Sequence, residues 1–142
     1  MNYSETIDFE VDSGVLEIGE TITRFEDFQC WQLARKLSNR VYKVTCEGTF
    51  SRDYALRDQI NRSTGSAMDN IAEGFDGGSD AEFIRFLCYA QRSCTETQSQ
   101  LYRALDRGHI DQANFDELYA LANHTRSKIG GLIRHLKNKR NN

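Results

Sequence analysis

The chain contains no proline and no long apolar run, and it lacks the features of a secretory signal. Proline breaks helices, so its absence permits long uninterrupted ones. A helix needs about 20 apolar residues to cross a bilayer, and no stretch of this sequence approaches that length. The first residues carry neither a basic segment nor an apolar one, unlike a secretory signal. These absences predict a helical, cytoplasmic protein that does not enter membranes.

Motifs for cofactors, metals and catalysis are also missing. The four cysteines form no CxxC pair, so we interpret them as reduced thiols rather than disulfides or zinc ligands. His109, His124 and His135 stand apart, without metal-ligand spacing. The sequence has no glycine-rich phosphate loop after a strand and no G-x-S-x-G motif. We therefore expect no cofactor, no metal site and no enzymatic activity.

Charge is distributed unevenly along the chain. The net charge is only −3, yet residues 1–23 carry six acids and no lysine or arginine. From Leu118 to Asn142, six basic residues occur without a single acid. Clustered lysine and arginine attract phosphate groups. The basic end is therefore the strongest functional signal in the sequence.

The acidic segment 1–23 has the pattern of a strand. Ile7, Phe9 and Val11 alternate with acidic residues, and a turn at 12–14 precedes more apolar residues. This pattern predicts a β-hairpin, which needs a surface to dock on because isolated hairpins are marginally stable. Three roles stay open for it: docking on its own bundle or on a neighbouring one, screening the basic end, or adding a strand to a protein partner.

Four amphipathic segments follow, at about 26–46, 51–73, 79–107 and 111–138. Each repeats apolar residues three and four positions apart, which is the period of a half-buried helix. Glycines separate the segments, and Ser79 with Glu82 fits a capping box at the start of the third. Short loops force neighbouring helices to run antiparallel. The sequence predicts one all-α domain over residues 24–142, an antiparallel up-down-up-down four-helix bundle behind the β-like extension.

The second helix contains a run of small and polar residues at 62–70 that form helices poorly. An interior glycine such as Gly65 costs about 0.5–1 kcal/mol relative to alanine. Small side chains allow another helix to approach closely, within the chain or from a second copy. We interpret Arg62 and Glu73 as a structural ion pair or a helix-end interaction near the tip of the bundle, rather than as a catalytic pair. The predicted positions for helix packing or oligomer contacts are Ser63, Ser66, Ala67, Asn70, Glu73, Ala90 and Ser93.

The same region resembles a known family. The blocks QI-x-R at 59–62, NIAEG at 70–74 and the EF-x-x-FL segment from 82 are similar to the four-helix bundle proteins named after 23S rRNA intervening sequences. The resemblance spans about residues 24–137. It extends in fold to the accessory variability protein of diversity-generating retroelements, a pentamer that binds nucleic acid beside a reverse transcriptase. The resemblance implies a helical bundle, a homopentamer and an accessory role for a nucleic-acid-processing enzyme.

Basic residues on the first and fourth helices are the predicted nucleic-acid contacts. They are Lys36, Arg40, Lys43, Arg126, Arg134, Lys137, Lys139 and Arg140. The first three share one helical face by their spacing. Such charges bind RNA or DNA phosphates without reading base sequence. The alternative is a structural or adaptor protein that docks a protein partner through residues 1–23 and binds no nucleic acid.

Overall fold

The computed structural model describes residues 22–141, with side chains up to Lys139. The described residues form four helices: α1 (Gln29–Thr45), α2 (Tyr54–Asp76), α3 (Asp80–Asp106) and α4 (Gln112–Asn141). Short 3₁₀ turns precede α1 and α2, so α1 begins slightly later than the sequence indicated. No strand occurs within residues 22–141. The all-α prediction is confirmed, whereas the predicted hairpin falls outside the described residues.

Side chains that accept hydrogen bonds from backbone N–H groups fix where three helices begin. Asp53 accepts one from the residue three positions later at 3.4 Å, and Ser79 accepts one from Glu82 at 3.2 Å. Asp111 makes the same kind of cap for α4 at 2.8 Å. The Glu82 carboxylate pairs with Arg85. Of the capping box predicted for α3, the hydrogen bond from the Glu82 N–H to the Ser79 side chain is confirmed, while the Glu82 side chain contacts Arg85.

Contacts between neighbouring helices show that they run antiparallel. Ser63 on α2 contacts Thr97 on α3, and Ser66 contacts Ser93, so residue numbers rise on one helix as they fall on the other. Pairs with the same inverse numbering join the other neighbours: Thr45 with Asn61, Phe28 with Phe75, Gln91 with Arg126, and Tyr102 with Tyr119. α1 also packs on α4, which closes the bundle.

The core consists of two apolar clusters that lie toward opposite ends of the bundle. One cluster includes Phe28 at the start of α1 and Leu136 near the end of α4, and we name this the proximal end. The other includes Phe50 before α2 and Phe115 at the start of α4, and we name this the distal end. Burial of these side chains supplies the main favourable free energy of folding.

Gly74 lies inside α2, although the sequence pattern predicted that this glycine would end the helix. A Cβ atom at Gly74 would stand 2.6 Å from the Phe86 Cβ and 3.1 Å from the Phe83 ring. A Cβ atom at Gly65 would meet nothing within 4 Å. The glycine that lets α2 and α3 approach closely is therefore Gly74, and Gly65 has no such role within the chain.

Candidate nucleic-acid interface

The small residues of α2 and α3 form a polar seam within one chain. The buried Ser63 hydroxyl contacts Thr97 Oγ1 at 2.8 Å and Gln100 Oε1 at 2.7 Å. Ser93 donates to Ser66 Oγ at 3.0 Å. The remaining seam positions are also used inside the chain: Ala67 and Ala90 are fully buried, and Asn70 donates to the Ser66 carbonyl. These residues therefore account for packing within the bundle.

Arg62 and Glu73 do not form the predicted ion pair. Both side chains are exposed on α2, eleven residues apart, which corresponds to about 16 Å along the helix axis. An ion pair needs an N–O distance of about 4 Å or less. The two residues therefore act independently, and Glu73 stands outside the polar seam.

The structure separates the basic residues of α1 from those of α4. Arg40 on α1 pairs with Glu117 near the distal end of α4, and Lys43 is exposed close to that end. Lys36, one turn before Arg40, is half-buried. Because α1 and α4 run antiparallel, Arg134 lies 17 residues beyond Glu117, about 25 Å away along α4. Arg126 is nine residues from Glu117, two and a half helical turns, and so lies on the opposite flank of α4. The two basic groups therefore do not form one continuous patch.

Within α4, the unpaired positive charge is concentrated on three residues. Arg126, Arg134 and Lys137 are exposed, and none has an acidic partner among residues 22–139. The Arg126 guanidinium instead donates to Asn123 Oδ1 at 3.2 Å. Lys139 pairs with Asp80 at 3.4 Å, so the Asp80 carboxylate offsets the positive charge of Lys139. The side chain of Arg140 lies outside the described residues.

These three residues share the flank of α4 that borders α3. Their spacing, with Gly130 between them, repeats every three or four residues and so follows one side of the helix. On the α3 side, Gln91 Nε2 donates to the Arg126 carbonyl at 3.4 Å. A Cβ atom at Gly130 would lie 2.9 Å from that Gln91 nitrogen and 3.5 Å from the Arg134 guanidinium. A side chain at position 130 would therefore displace Gln91 and come into contact with Arg134.

We name this surface the α3–α4 groove. Two observed contacts define it, Gln91 with Arg126 and Tyr102 with Tyr119. Helical spacing from these contacts adds the remaining residues of the same flanks, so that it comprises Tyr119, Asn123, Arg126, Gly130, Arg134 and Lys137 on α4 and Tyr102, Thr95, Gln91 and Cys88 on α3. None of these residues is acidic. Such a run of basic and polar residues attracts anions, because none of the residues that border it carries a carboxylate.

Two tyrosines occupy the distal end of the groove. The Tyr102 ring lies 5.6 Å from Tyr119 and 4.8 Å from Phe115, between ring centroids, and Tyr102 remains 50% exposed. The electrostatic effect of the neighbouring Tyr119 is the main cause that raises the pKa of Tyr102. Sequence reasoning missed this pair because its members stand on different helices. The sequence does indicate that Tyr119 lies on the same side of its helix as Arg126, because the two residues are seven positions apart.

A second polar cluster that sequence reasoning missed lies at the distal end. His109 Nε2 and the Arg107 guanidinium contact Asp53 Oδ2 at 2.8 Å and 3.0 Å, and these hydrogen bonds lower the pKa of Asp53 to about 2. Thr49 Oγ1 contacts His109 Nδ1 at 2.8 Å, and Phe50 stacks on the same ring. Because Asp53 also caps α2, we assign the cluster a structural role: it joins the α1–α2 connection to the α3–α4 connection at the distal end.

The part of the chain that the structure describes offers no candidate metal site and no candidate membrane span. No group of three or more His, Cys, Asp or Glu side chains there has the arrangement of a metal site. No helix within that part is both long and apolar enough to cross a membrane.

Comparison with known proteins gives one informative match. No curated protein matches the chain. A family model described as 23S rRNA-intervening sequence protein matches residues 26–131 of the 142 residues, from just before α1 to the middle of α4. Arg126 falls inside the matched range, whereas Arg134 and Lys137 follow it. Since the match covers well over half of the sequence, the chain belongs to the 23S rRNA-intervening sequence protein family.

Proposed function

We propose that this chain is a non-enzymatic cytoplasmic protein that binds RNA or DNA through the α3–α4 groove, without reading base sequence. The observation that carries this function is the exposure of Arg126, Arg134 and Lys137 on one flank of α4, with no acidic partner among residues 22–139. Phosphate contacts by such residues release counterions, which is the main source of sequence-independent affinity.

The other predicted basic residues contribute less to this function. Arg40 and Lys139 each have a carboxylate partner, Glu117 and Asp80 respectively. A phosphate that approaches either residue must compete with that carboxylate. The basic group of α1 therefore provides a natural control, because it carries three cations of the same types on a different part of the surface.

Assembly and biological context form a second part of this proposal. We propose a homopentamer that acts as an accessory to a nucleic-acid-processing enzyme such as a reverse transcriptase. The resemblance to the accessory variability protein supports this part. A pentamer would present five grooves, and linked sites bind one long polyanion far more tightly than a single site. Light scattering at micromolar concentration measures the subunit number, and a monomer would contradict the assembly.

The binding function is tested by the salt dependence of affinity. The test variant is Arg126→Gln/Arg134→Gln/Lys137→Gln, and the matched control is Lys36→Gln/Arg40→Gln/Lys43→Gln. Both remove three positive charges. We expect the test variant to flatten the slope of log K against log salt by roughly 0.7 per lost contact for a single strand, or about 2 in all. The control should change the slope by less than half as much.

Two results would contradict this function. Equal loss of slope in both variants would show that net charge alone governs binding and that the α3–α4 groove has no special role. Failure of both RNA and DNA to bind at low salt would remove the function altogether. In that case the adaptor alternative would take its place, with residues 1–23 as the segment offered to a protein partner.

A further inference from the structure

We infer, on the basis of the proposed function, that the α3–α4 groove takes single-stranded rather than double-stranded nucleic acid, with one base stacked on Tyr102. Proteins that bind single strands combine a basic groove, which follows the backbone, with aromatic rings on which bases stack. Both components are present here on one surface.

The tyrosine pair and the basic residues lie in line along the groove. Tyr119 precedes Arg126 by seven residues, two helical turns, so the two side chains occupy the same flank about 10 Å apart. Tyr102 faces Tyr119 across the groove, with ring centroids 5.6 Å apart. A strand whose phosphates contact Arg126 therefore has an aromatic ring within reach of its bases.

The packing of Tyr102 suits it to stacking. Phe115 and Tyr119 lie against its ring, while half of its surface stays open to solvent. Neighbours that hold the ring in place reduce the entropy that is lost when a base settles on it. Every base presents a π-face, so stacking adds affinity without adding sequence preference.

The dimensions of the groove set the length of the strand. From Tyr119 to Lys137 the α4 axis covers about 27 Å, which suits a site of roughly four nucleotides. Asp106, four residues after Tyr102, and Asp116, three residues before Tyr119, lie about one turn further toward the distal end and bound the acid-free surface there. Their carboxylates repel phosphates that extend further in this direction.

A duplex fits this arrangement less well. The bases of a duplex are stacked on one another, so no π-face is available to Tyr102 and only the phosphates contribute. In a single strand the bases can turn toward the ring and add stacking to the same phosphate contacts. The expected preference for a single strand therefore depends on Tyr102 and not on the cations.

Two other exposed tyrosines lie away from the groove, and one of them, Tyr54, serves as the control. Tyr54 is 63% exposed, but its ring is already covered by the Arg57 guanidinium at 4.8 Å from the centroid. Tyr42 is 62% exposed on α1, and the neighbouring Cys46 side chain raises its pKa. Neither tyrosine borders the α3–α4 groove. Replacing Tyr54 removes another tyrosine ring from the surface and leaves the groove unchanged.

The experiment measures binding of the full chain to a labelled 12-nucleotide thymidine oligomer and to a duplex of the same length. Wild-type protein should bind the single strand more tightly. Tyr102→Ala should weaken single-strand binding by roughly tenfold or more, as stacking on one aromatic ring implies, without changing the salt slope. Tyr102→Phe should retain the affinity because the ring remains, and Tyr54→Ala should match the wild type. Circular dichroism confirms that each variant is folded.

A second measurement reports stacking directly. In Tyr102→Trp the fluorescence of the new indole should fall when the oligomer binds, since a stacked base quenches it, and Tyr54→Trp should show no such change. Tighter binding of the duplex, an unchanged affinity for Tyr102→Ala, or no quenching in Tyr102→Trp would each overturn the inference while leaving the proposed function in place. Failure of every oligonucleotide to bind would overturn both.

Discussion

Replacing glycine with alanine should have opposite effects on stability at two positions of α2, Gly65 and Gly74. Replacing an interior helical glycine with alanine normally stabilises a protein by about 0.5–1 kcal/mol. At Gly65 the new methyl group meets nothing within 4 Å, so Gly65→Ala should realise that gain. At Gly74 the methyl would stand 2.6 Å from the Phe86 Cβ, which cannot rotate away because it is attached to the backbone of α3. Overpacking of this kind costs about 1–3 kcal/mol.

The net expectation for Gly74→Ala is a loss of about 1–2 kcal/mol, since the overpacking exceeds the gain in helix propensity. Urea unfolding followed by circular dichroism measures both variants, and an unchanged m value shows that only stability has shifted. The difference between the two variants should be at least about 1.5 kcal/mol. If Gly74→Ala proves as stable as the wild type or more so, the close approach of α2 and α3 at this point is wrong.

Two further substitutions test the polar groups of the bundle. Ser63→Ala should destabilise the fold by about 1–2 kcal/mol because it leaves Gln100 Oε1 without its buried donor, whereas the exposed Ser99→Ala should change stability by less than about 0.5 kcal/mol. The stabilisation from Asp53 should be complete above its unfolded pKa of about 3.9 and be lost as the pH falls toward about 2, because its folded pKa is lowered. Asp53→Asn should therefore show a shallower fall in stability over that pH range, measured by urea unfolding.

The helices could be predicted from sequence because their signal is local. Apolar residues repeat at helical spacing in all four segments, and Ser79 and Asp111 cap the helices that follow them as their residue types indicate. The exception at Gly74 has a tertiary cause. A glycine near the end of a periodic segment commonly ends a helix, but here the helix continues because α3 requires close contact at that position.

The candidate site could be predicted only in part, because its geometry depends on which helices meet. The sequence identified the basic residues of α1 and α4 as one set, yet the antiparallel arrangement places Arg40 beside Glu117 and far from Arg134. Tyr102 and Tyr119 form a pair only after α3 and α4 pack together. The contact between Asp53 and His109 joins residues 56 positions apart, a distance at which no local pattern carries information.

The small residues of α2 and α3 show why sequence alone does not distinguish packing within a chain from packing between chains. Both need small side chains, because both require two backbones to approach closely. The hydrogen bonds of Ser63 and Ser93 lie within one bundle and use those hydroxyls. In the proposed pentamer those hydroxyls are already engaged within each subunit, and nucleic-acid binding requires the α3–α4 groove to stay accessible. If five grooves lined one side of such a ring, a single strand bound in one groove would hold its next nucleotides near another, and affinity would rise steeply with strand length.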